Sequence, residues 1–209
     1  MAVLPKLAYA QGRRDDVPDQ QLARELAAAN DGGGVKELAE NLWNANENIS
    51  SDCIKTLYEL GFIKPELIAG YVDDFLRAIQ NKNNRLVWGG MIALGTIAHL
   101  KAREIFDHLD LIEKTMQSGS VITVDNGVKT LALVAAASEE YNHVIFPFLL
   151  EHLKTCRSKE VPQHAEKSLP AVTSANRGAF IEALNQRMPA LSSAQLARVK
   201  KVIKASEKK

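Results

Sequence analysis

Few side chains in this sequence stand at a spacing that supports chemistry. His152 and Cys156 are four positions apart, so on a helix they share one face and could hold a transition metal between them. A metal site needs a third or fourth ligand, and none is identifiable from the sequence. The remaining histidines are scattered and are interpreted as surface or interior residues: His99, His108, His143 and His164. We therefore predict no metal site and no cofactor.

The sequence contains no other motif that is specific for catalysis. It has no phosphate-binding loop, no His-Glu-x-x-His motif and no cysteine pairs at zinc spacing. The glycine run at residues 31–35 (DGGGV) has no strand before it and no Lys-Ser/Thr after it, so we interpret it as a linker. Asp125, in the stretch VDNG, lacks the acidic neighbours at alternate positions that a calcium loop requires.

Four segments of the chain repeat one another. Each opens with a small residue (Cys53, Gly90, Gly127, Ala165) and has a leucine four positions later. These leucines are Leu57, Leu94, Leu131 and Leu169, which lie 37, 37 and 38 residues apart. Between the segments, a second apolar pattern at helical spacing comprises Ile68, Val72, Phe75 and Ile79 and, 37 residues later, Ile105, Leu109, Ile112 and Met116. Each repeat is therefore predicted to be a hairpin of helix A and helix B, with the leucine column on helix B.

One such hairpin cannot bury its apolar stripe alone, whereas stacked hairpins can. Over roughly residues 33–205, the chain resembles the HEAT/armadillo class of α-solenoids in its repeat period, its pairing of helices and its column of small residues. We expect an all-α, α-α superhelix with an N-terminal capping helix and about five helical hairpins, approximately 35–61, 65–100, 103–138, 141–174 and 176–206. Residues 1–14 are expected to form a flexible tail and residues 15–209 a single domain. Asp16 is the expected N-cap of the capping helix, with Leu22 and Leu26 facing inward.

The alignment of the repeats also assigns a structure to the stretch VDNG at residues 124–127. Asp-Asn-Gly after the β-branched residues 121–124 is typical of a β-hairpin, but the repeat places this stretch at the start of a helix B. Gly127 then stands in the small-residue column, where helices approach closely, and Asp125 is the preferred N-cap. We adopt the helical interpretation.

In solenoids of this class the B helices usually line a concave face, and that face usually binds. The positions opposite the core arc of each helix B therefore supply the candidate site. It comprises Lys55, Tyr58, Phe62, Arg85, Trp88, Ile92, Asp125, Lys129 and Lys167. Clustered apolar side chains rimmed by bases resemble a protein- or peptide-binding patch. The alternative is that neighbouring B helices pack edge to edge and bury these apolar groups.

An enzymatic alternative follows from the same resemblance. Some HEAT-like solenoids are DNA glycosylases that remove alkylated bases with an aspartate flanked by aromatics in a basic groove. Trp88 and Asp125 occupy the same register of successive repeats and would be the residues concerned. A duplex binder, however, needs a denser basic stripe than these helices provide.

Composition argues against a nucleic-acid-binding protein, a membrane protein and a secreted disulfide-bonded protein. The net charge is +1 over 209 residues, which gives no general attraction to nucleic acid or anionic membranes. Six Lys or Arg residues between Arg198 and Lys209 lack interleaved aromatics, so we interpret them as a solvated terminal helix. Two cysteines form no disulfide framework, and no apolar run suits a signal peptide or membrane span. We predict a cytoplasmic location.

The sequence therefore predicts a non-enzymatic scaffold that binds another protein or peptide on its concave face, without a cofactor and without a membrane. The alternative is a nucleic-acid-binding protein or an alkylated-base glycosylase.

Overall fold

The computed structural model describes residues 2–209, which contain twelve α-helices and no strand. In chain order, helices α1 to α12 are Val17–Ala29, Gly32–Glu40, Glu47–Ile63, Val72–Ala78, Asn84–Ile97, Ala102–Phe106, Leu109–Ser118, Val121–Ala135, Glu139–Thr155, Val161–Ser168, Arg177–Arg187 and Ser193–Ser206. Short 3₁₀ turns lie at Leu4–Lys6, Asn41–Trp43, Pro65–Leu67, Ala69–Tyr71, Leu169–Ala171 and Met188–Ala190. The all-α class is confirmed. Residues 121–124, for which a β-hairpin was considered and rejected, form the first turn of α8.

The chain divides into two compact units, which we call the N-terminal unit (Met1–Gly127) and the C-terminal unit (Val128–Lys209). In the N-terminal unit, α3 packs against both α1 and α5, while α2 packs on α3 and α4 packs on α5. In the C-terminal unit, α9 packs on α11 and α10 packs on α12. The expectation of a single domain over residues 15–209 stays a prediction.

The apolar columns of the repeat form the core within each unit. Leu57 and Leu94 are fully buried and Leu131 is 1% exposed. The helix A pattern is buried at Ile68, Val72, Phe75, Ile79, Ile105, Ile112 and Met116. Leu169 departs from its column, because α10 ends at Ser168 and Leu169 begins a 3₁₀ turn with Pro170. Proline has no amide proton to continue the helical hydrogen bonds, which explains the early end of this helix B.

Gly127 lies where helix α7 meets helix α8. A Cβ atom placed on it would stand 2.5 Å from Cγ and Sδ of Met116, so the absence of a side chain permits the close approach. The helix begins at Val121, four residues before Asp125 rather than after it. The Ser120 hydroxyl accepts the Thr123 amide at 3.3 Å, as an N-cap does. The prediction that Asp125 caps this helix is therefore wrong, since Asp125 lies inside α8.

The N-terminal segment is not the loose tail that was expected. Val3 and Leu7 are buried, and backbone amides of this segment donate to three carboxylates on three different helices. The bonds are Val3 N to Glu37 at 3.1 Å, Ala8 N to Asp19 at 3.0 Å and Tyr9 N to Asp52 at 2.7 Å. The segment therefore packs across α1, α2 and α3.

Two predicted helix boundaries in this unit also change. Leu22 and Leu26 are buried in α1 as expected, but the Asp16 side chain makes no capping bond; the Asp15 carboxylate accepts the Val17 amide instead. The glycine run that was interpreted as a linker begins α2, with Asp31 as the N-cap of Gly34. No helix in the described part of the chain is long and apolar enough to cross a bilayer.

Candidate functional site

Four predicted site residues on helices α3 and α5 of the N-terminal unit are in contact: Lys55, Tyr58, Phe62 and Trp88. Tyr58 lies at the centre, with its ring centroid 6.2 Å from that of Phe62 in an edge-on contact and 5.9 Å from that of Trp88. Lys55 places its ammonium group 4.9 Å from the Tyr58 ring centroid. We call the surface formed by Tyr58, Phe62, Trp88 and Ile92 the α3–α5 face.

Burial differs sharply among these apolar side chains. Tyr58 is 6% exposed, whereas Phe62 is 56% exposed; Trp88 and Ile92 are half-buried. Tyr58 therefore packs as part of the helix–helix interface, as the alternative interpretation expected. Phe62, on the next turn of the same helix, is more than half exposed.

Lys55 is not the exposed rim base that was expected. Its side chain is only 12% exposed, and its Nζ lies 2.6 Å from Glu59 and 3.1 Å from Asp16. Burial lowers the pKa of Lys55, but the hydrogen bonds to Glu59, Tyr58 and Asp16 outweigh it, so the net pKa is raised. Lys55 thus remains charged and joins α3 to the start of α1.

The remaining charged residues of the predicted site lie on helices α5, α8 and α10. Arg85 is exposed on α5, and its charge acts on the carboxylate of Asp52, whose pKa is nevertheless raised because burial dominates. Asp125 is half-buried within α8. Lys129 and Lys167 are half-buried and belong to the C-terminal unit.

This arrangement suits non-covalent recognition better than chemistry on a nucleic acid. Of the bases expected to contact phosphates, Lys55 is already engaged by two carboxylates. Together Lys55, Glu59 and Asp16 carry one net negative charge beside the aromatic rings. A phosphate backbone requires the opposite sign there.

The C-terminal unit brings together a residue set that the sequence did not reveal. His152 and Cys156 on α9 are joined by His164 on α10, and one ligand atom from each lies within 4.8 Å of the others. His152 Nε2 and His164 Nδ1 are 2.9 Å apart. The sequence carried no signal for His164, because its separation from Cys156 matches no metal motif and only the turn between α9 and α10 brings it near. These three residues could hold a metal ion.

The sequence matches no protein-family model, and no curated protein matches it. Solved structures do match. An engineered protein, 18% identical, gives a TM-score of 0.69 and covers 100% of this chain and 98% of that chain. A designed armadillo repeat protein in complex with the peptide (KR)4, 14% identical, gives 0.68 over 90% of this chain and 85% of that chain.

A further similar structure is one of a set of computationally designed armadillo repeat proteins for modular peptide recognition. It is 14% identical, gives a TM-score of 0.66 and covers 88% of this chain and 86% of that chain. At such identities the similarity establishes the fold alone. The chain therefore has the all-α, armadillo-type helical-repeat fold that the 37-residue period indicated.

Proposed function

We propose that this protein binds an extended segment of another protein on the α3–α5 face. The observation that carries the proposal is the more than half exposed Phe62, whose ring contacts that of Tyr58, which also contacts the half-buried Trp88. Covering exposed apolar surface contributes about 25 cal/mol per Å². Aromatic side chains in such clusters commonly dominate binding energy. Phe62 and Trp88 are the proposed anchors, and Tyr58 supports them from below.

The charges beside the rings favour a basic partner segment. Asp16 is 67% exposed and lies against Lys55, which Glu59 also engages. The ligand of this site is therefore a peptide that places an apolar side chain on Phe62 and a Lys or Arg near Asp16. The complex of a similar designed armadillo repeat protein with (KR)4 supports a peptide as the ligand class.

A selection from a displayed library of random peptides, with the full chain as bait, tests the proposal. We expect enriched peptides that combine an aromatic or large aliphatic residue with a base. Phe62→Ser and Trp88→Ala should each weaken their binding by about tenfold or more, which corresponds to about 1.4 kcal/mol.

Ile63→Ser is the matched control, because Ile63 is 50% exposed at the adjacent position of α3 and lies about 100° round the helix from Phe62. Its peptide affinity should equal that of the wild type. Failure to enrich any peptide, or equal binding by Phe62→Ser, would contradict the proposal.

Titration with duplex DNA discriminates the nucleic-acid alternative. If the proposed function is right, the chain should show no salt-dependent binding to duplex DNA. Salt-dependent DNA binding that is lost on neutralising Arg85 and Lys129 would overturn it in favour of that alternative.

A further inference from the structure

We infer that His152, Cys156 and His164 form a binding site for a divalent transition-metal ion, best suited to Zn²⁺. The site lies within the C-terminal unit, where the end of α9 meets α10. It is independent of the α3–α5 face and of the function proposed for that face.

The distances fit a tetrahedral ion after a small adjustment. A Zn²⁺ ion with Zn–N of about 2.05 Å and Zn–S of about 2.3 Å places two nitrogens about 3.4 Å apart and nitrogen about 3.6 Å from sulfur. In the structure the two nitrogens are 2.9 Å apart, and all three ligand atoms lie within 4.8 Å of one another. Each atom needs to move by only about 1 Å or less to take up this geometry.

The donor set selects the class of ion. Two imidazole nitrogens and one thiolate suit Zn²⁺, Co²⁺ and similar borderline ions, whereas Mg²⁺ and Ca²⁺ require oxygen ligands. Three protein ligands leave a fourth tetrahedral position, which a water molecule can occupy. His152 is half-buried, so solvent reaches the edge of this residue set.

The surrounding side chains hold the ligands in place. His164 is fully buried, and its backbone amide donates to the Glu160 carbonyl at 2.9 Å. Phe148 stacks on the imidazole of His152, with ring centroids 6.5 Å apart and planes 19° from parallel. Rotation of both imidazoles is therefore restricted, which lowers the entropy lost on binding an ion.

Arg187 of α11 fixes the end of α9 that carries the sulfur ligand. Its guanidinium donates to the carbonyl oxygens of Leu153 at 3.2 Å and Cys156 at 2.5 Å, and also to that of Lys154. Burial raises the pKa of the Cys156 thiol to about 11, and the charge of Arg187 acts in the opposite direction. A backbone held at three carbonyls keeps Sγ near the two nitrogens.

Binding the ion requires two proton changes. The Cys156 thiol, whose Sγ lies 3.7 Å from the Leu153 carbonyl, loses its proton to solvent and forms the bond to the metal as a thiolate. One proton lies in the hydrogen bond between His152 Nε2 and His164 Nδ1. It moves to the other nitrogen of its own ring, so that both facing nitrogens offer lone pairs. One proton is released for each ion bound.

Anaerobic titration of the reduced full chain with Co²⁺ tests the inference. We expect one ion per chain, the visible bands of tetrahedral Co²⁺ and a near-ultraviolet thiolate-to-cobalt charge-transfer band, all displaced by Zn²⁺. Saturating Zn²⁺ should also raise the Tm by about 5–10 °C. Cys156→Ser should abolish the charge-transfer band, and His152→Ala should weaken Co²⁺ binding by more than about 100-fold, because it removes a direct ligand.

Two variants serve as matched controls. Cys53→Ala removes the other thiol, and His143→Ala removes an exposed histidine from the same helix α9; both should bind Co²⁺ as the wild type does. Because both ligand variants alter partly exposed side chains, circular dichroism should show unchanged helix content. Absence of the charge-transfer band in the wild type, or a Zn²⁺-induced rise in Tm that survives Cys156→Ser and His152→Ala, would overturn the inference.

Discussion

The ammonium group of Lys55 on α3 lies 3.1 Å from the carboxylate of Asp16 at the start of α1. Glu59, one turn further along α3, engages the same nitrogen at 2.6 Å. A side chain expected to rim a binding surface thus ties two neighbouring helices together. This relationship changes both the electrostatics of the α3–α5 face and the stability of the N-terminal unit.

Lys55→Met should therefore lower the free energy of unfolding. The substitution keeps the apolar stem but leaves Glu59 and Asp16 facing each other without a cation, and we expect a loss of about 1–2 kcal/mol. Urea unfolding at neutral pH measures the change. Lys36→Met is the control, since the Lys36–Glu40 pair is exposed on both sides and should contribute less than about 0.5 kcal/mol. Equal effects of the two substitutions would contradict this account.

The loss of stability in Trp88→Ala and in Phe62→Ala should show which of the two side chains belongs to the core and which to the binding surface. Trp88 is half-buried against Tyr58, so its removal should cost about 2 kcal/mol of stability while leaving the helix content intact. Phe62 is 56% exposed, and its removal should cost less than about 1 kcal/mol. Circular dichroism and urea unfolding give both quantities. Collapse of the fold in Trp88→Ala would assign Trp88 to the core.

Asp19 should make stability depend on pH. Asp19 is 1% exposed, and burial raises the pKa of its carboxyl to about 7 although the carboxylate accepts the Ala8 amide. In the unfolded chain this carboxyl ionises near pH 3.8, the ordinary value for an aspartate. Between these values the unfolded chain therefore binds fewer protons at this residue than the folded chain. The contribution of Asp19 to stability is thus present below about pH 4 and is lost as the pH rises to about 7.

Asp19→Asn should remove this dependence. The amide oxygen can still accept the Ala8 proton, so we expect the variant to be more stable than the wild type at pH 8, on the order of 1–3 kcal/mol. At pH 4 the two should agree closely. Guanidinium unfolding at both pH values tests this, with the exposed Asp73→Asn as control. A variant that gains nothing at pH 8 would show that the charged Asp19 is accommodated.

Gly127→Ala should destabilise α8 despite the better helix propensity of alanine. The new Cβ would stand 2.5 Å from two atoms of Met116, and the strain should exceed the gain of about 1 kcal/mol from propensity. Gly178→Ala in α11 is the matched control, because its Cβ would meet nothing within 4 Å. Thermal unfolding should show a lower Tm for the first variant and a higher Tm for the second. A rise in both would mean that Met116 rearranges without cost.

The features that the sequence determined are those carried by periodicity. A Leu column at 37-residue spacing, with an apolar stripe between its members, identifies two-helix repeats because each helix must bury one face every 3.6 residues. The burial of Leu57, Leu94 and Leu131 and the close contact at Gly127 follow from that rule. They could be predicted without any knowledge of which helices touch.

The tertiary structure decided the features that depend on single partners. Asp16 pairs with Lys55 rather than capping its own helix, residues 3–9 donate amides to carboxylates on three helices, and His164 meets His152 and Cys156. Hydrogen bonds, ion pairs and ligand sets each depend on a few particular atoms, so they produce no periodic pattern in the sequence. They form only when packing of the apolar faces has already brought two separate helices within about 3 Å of a shared polar contact.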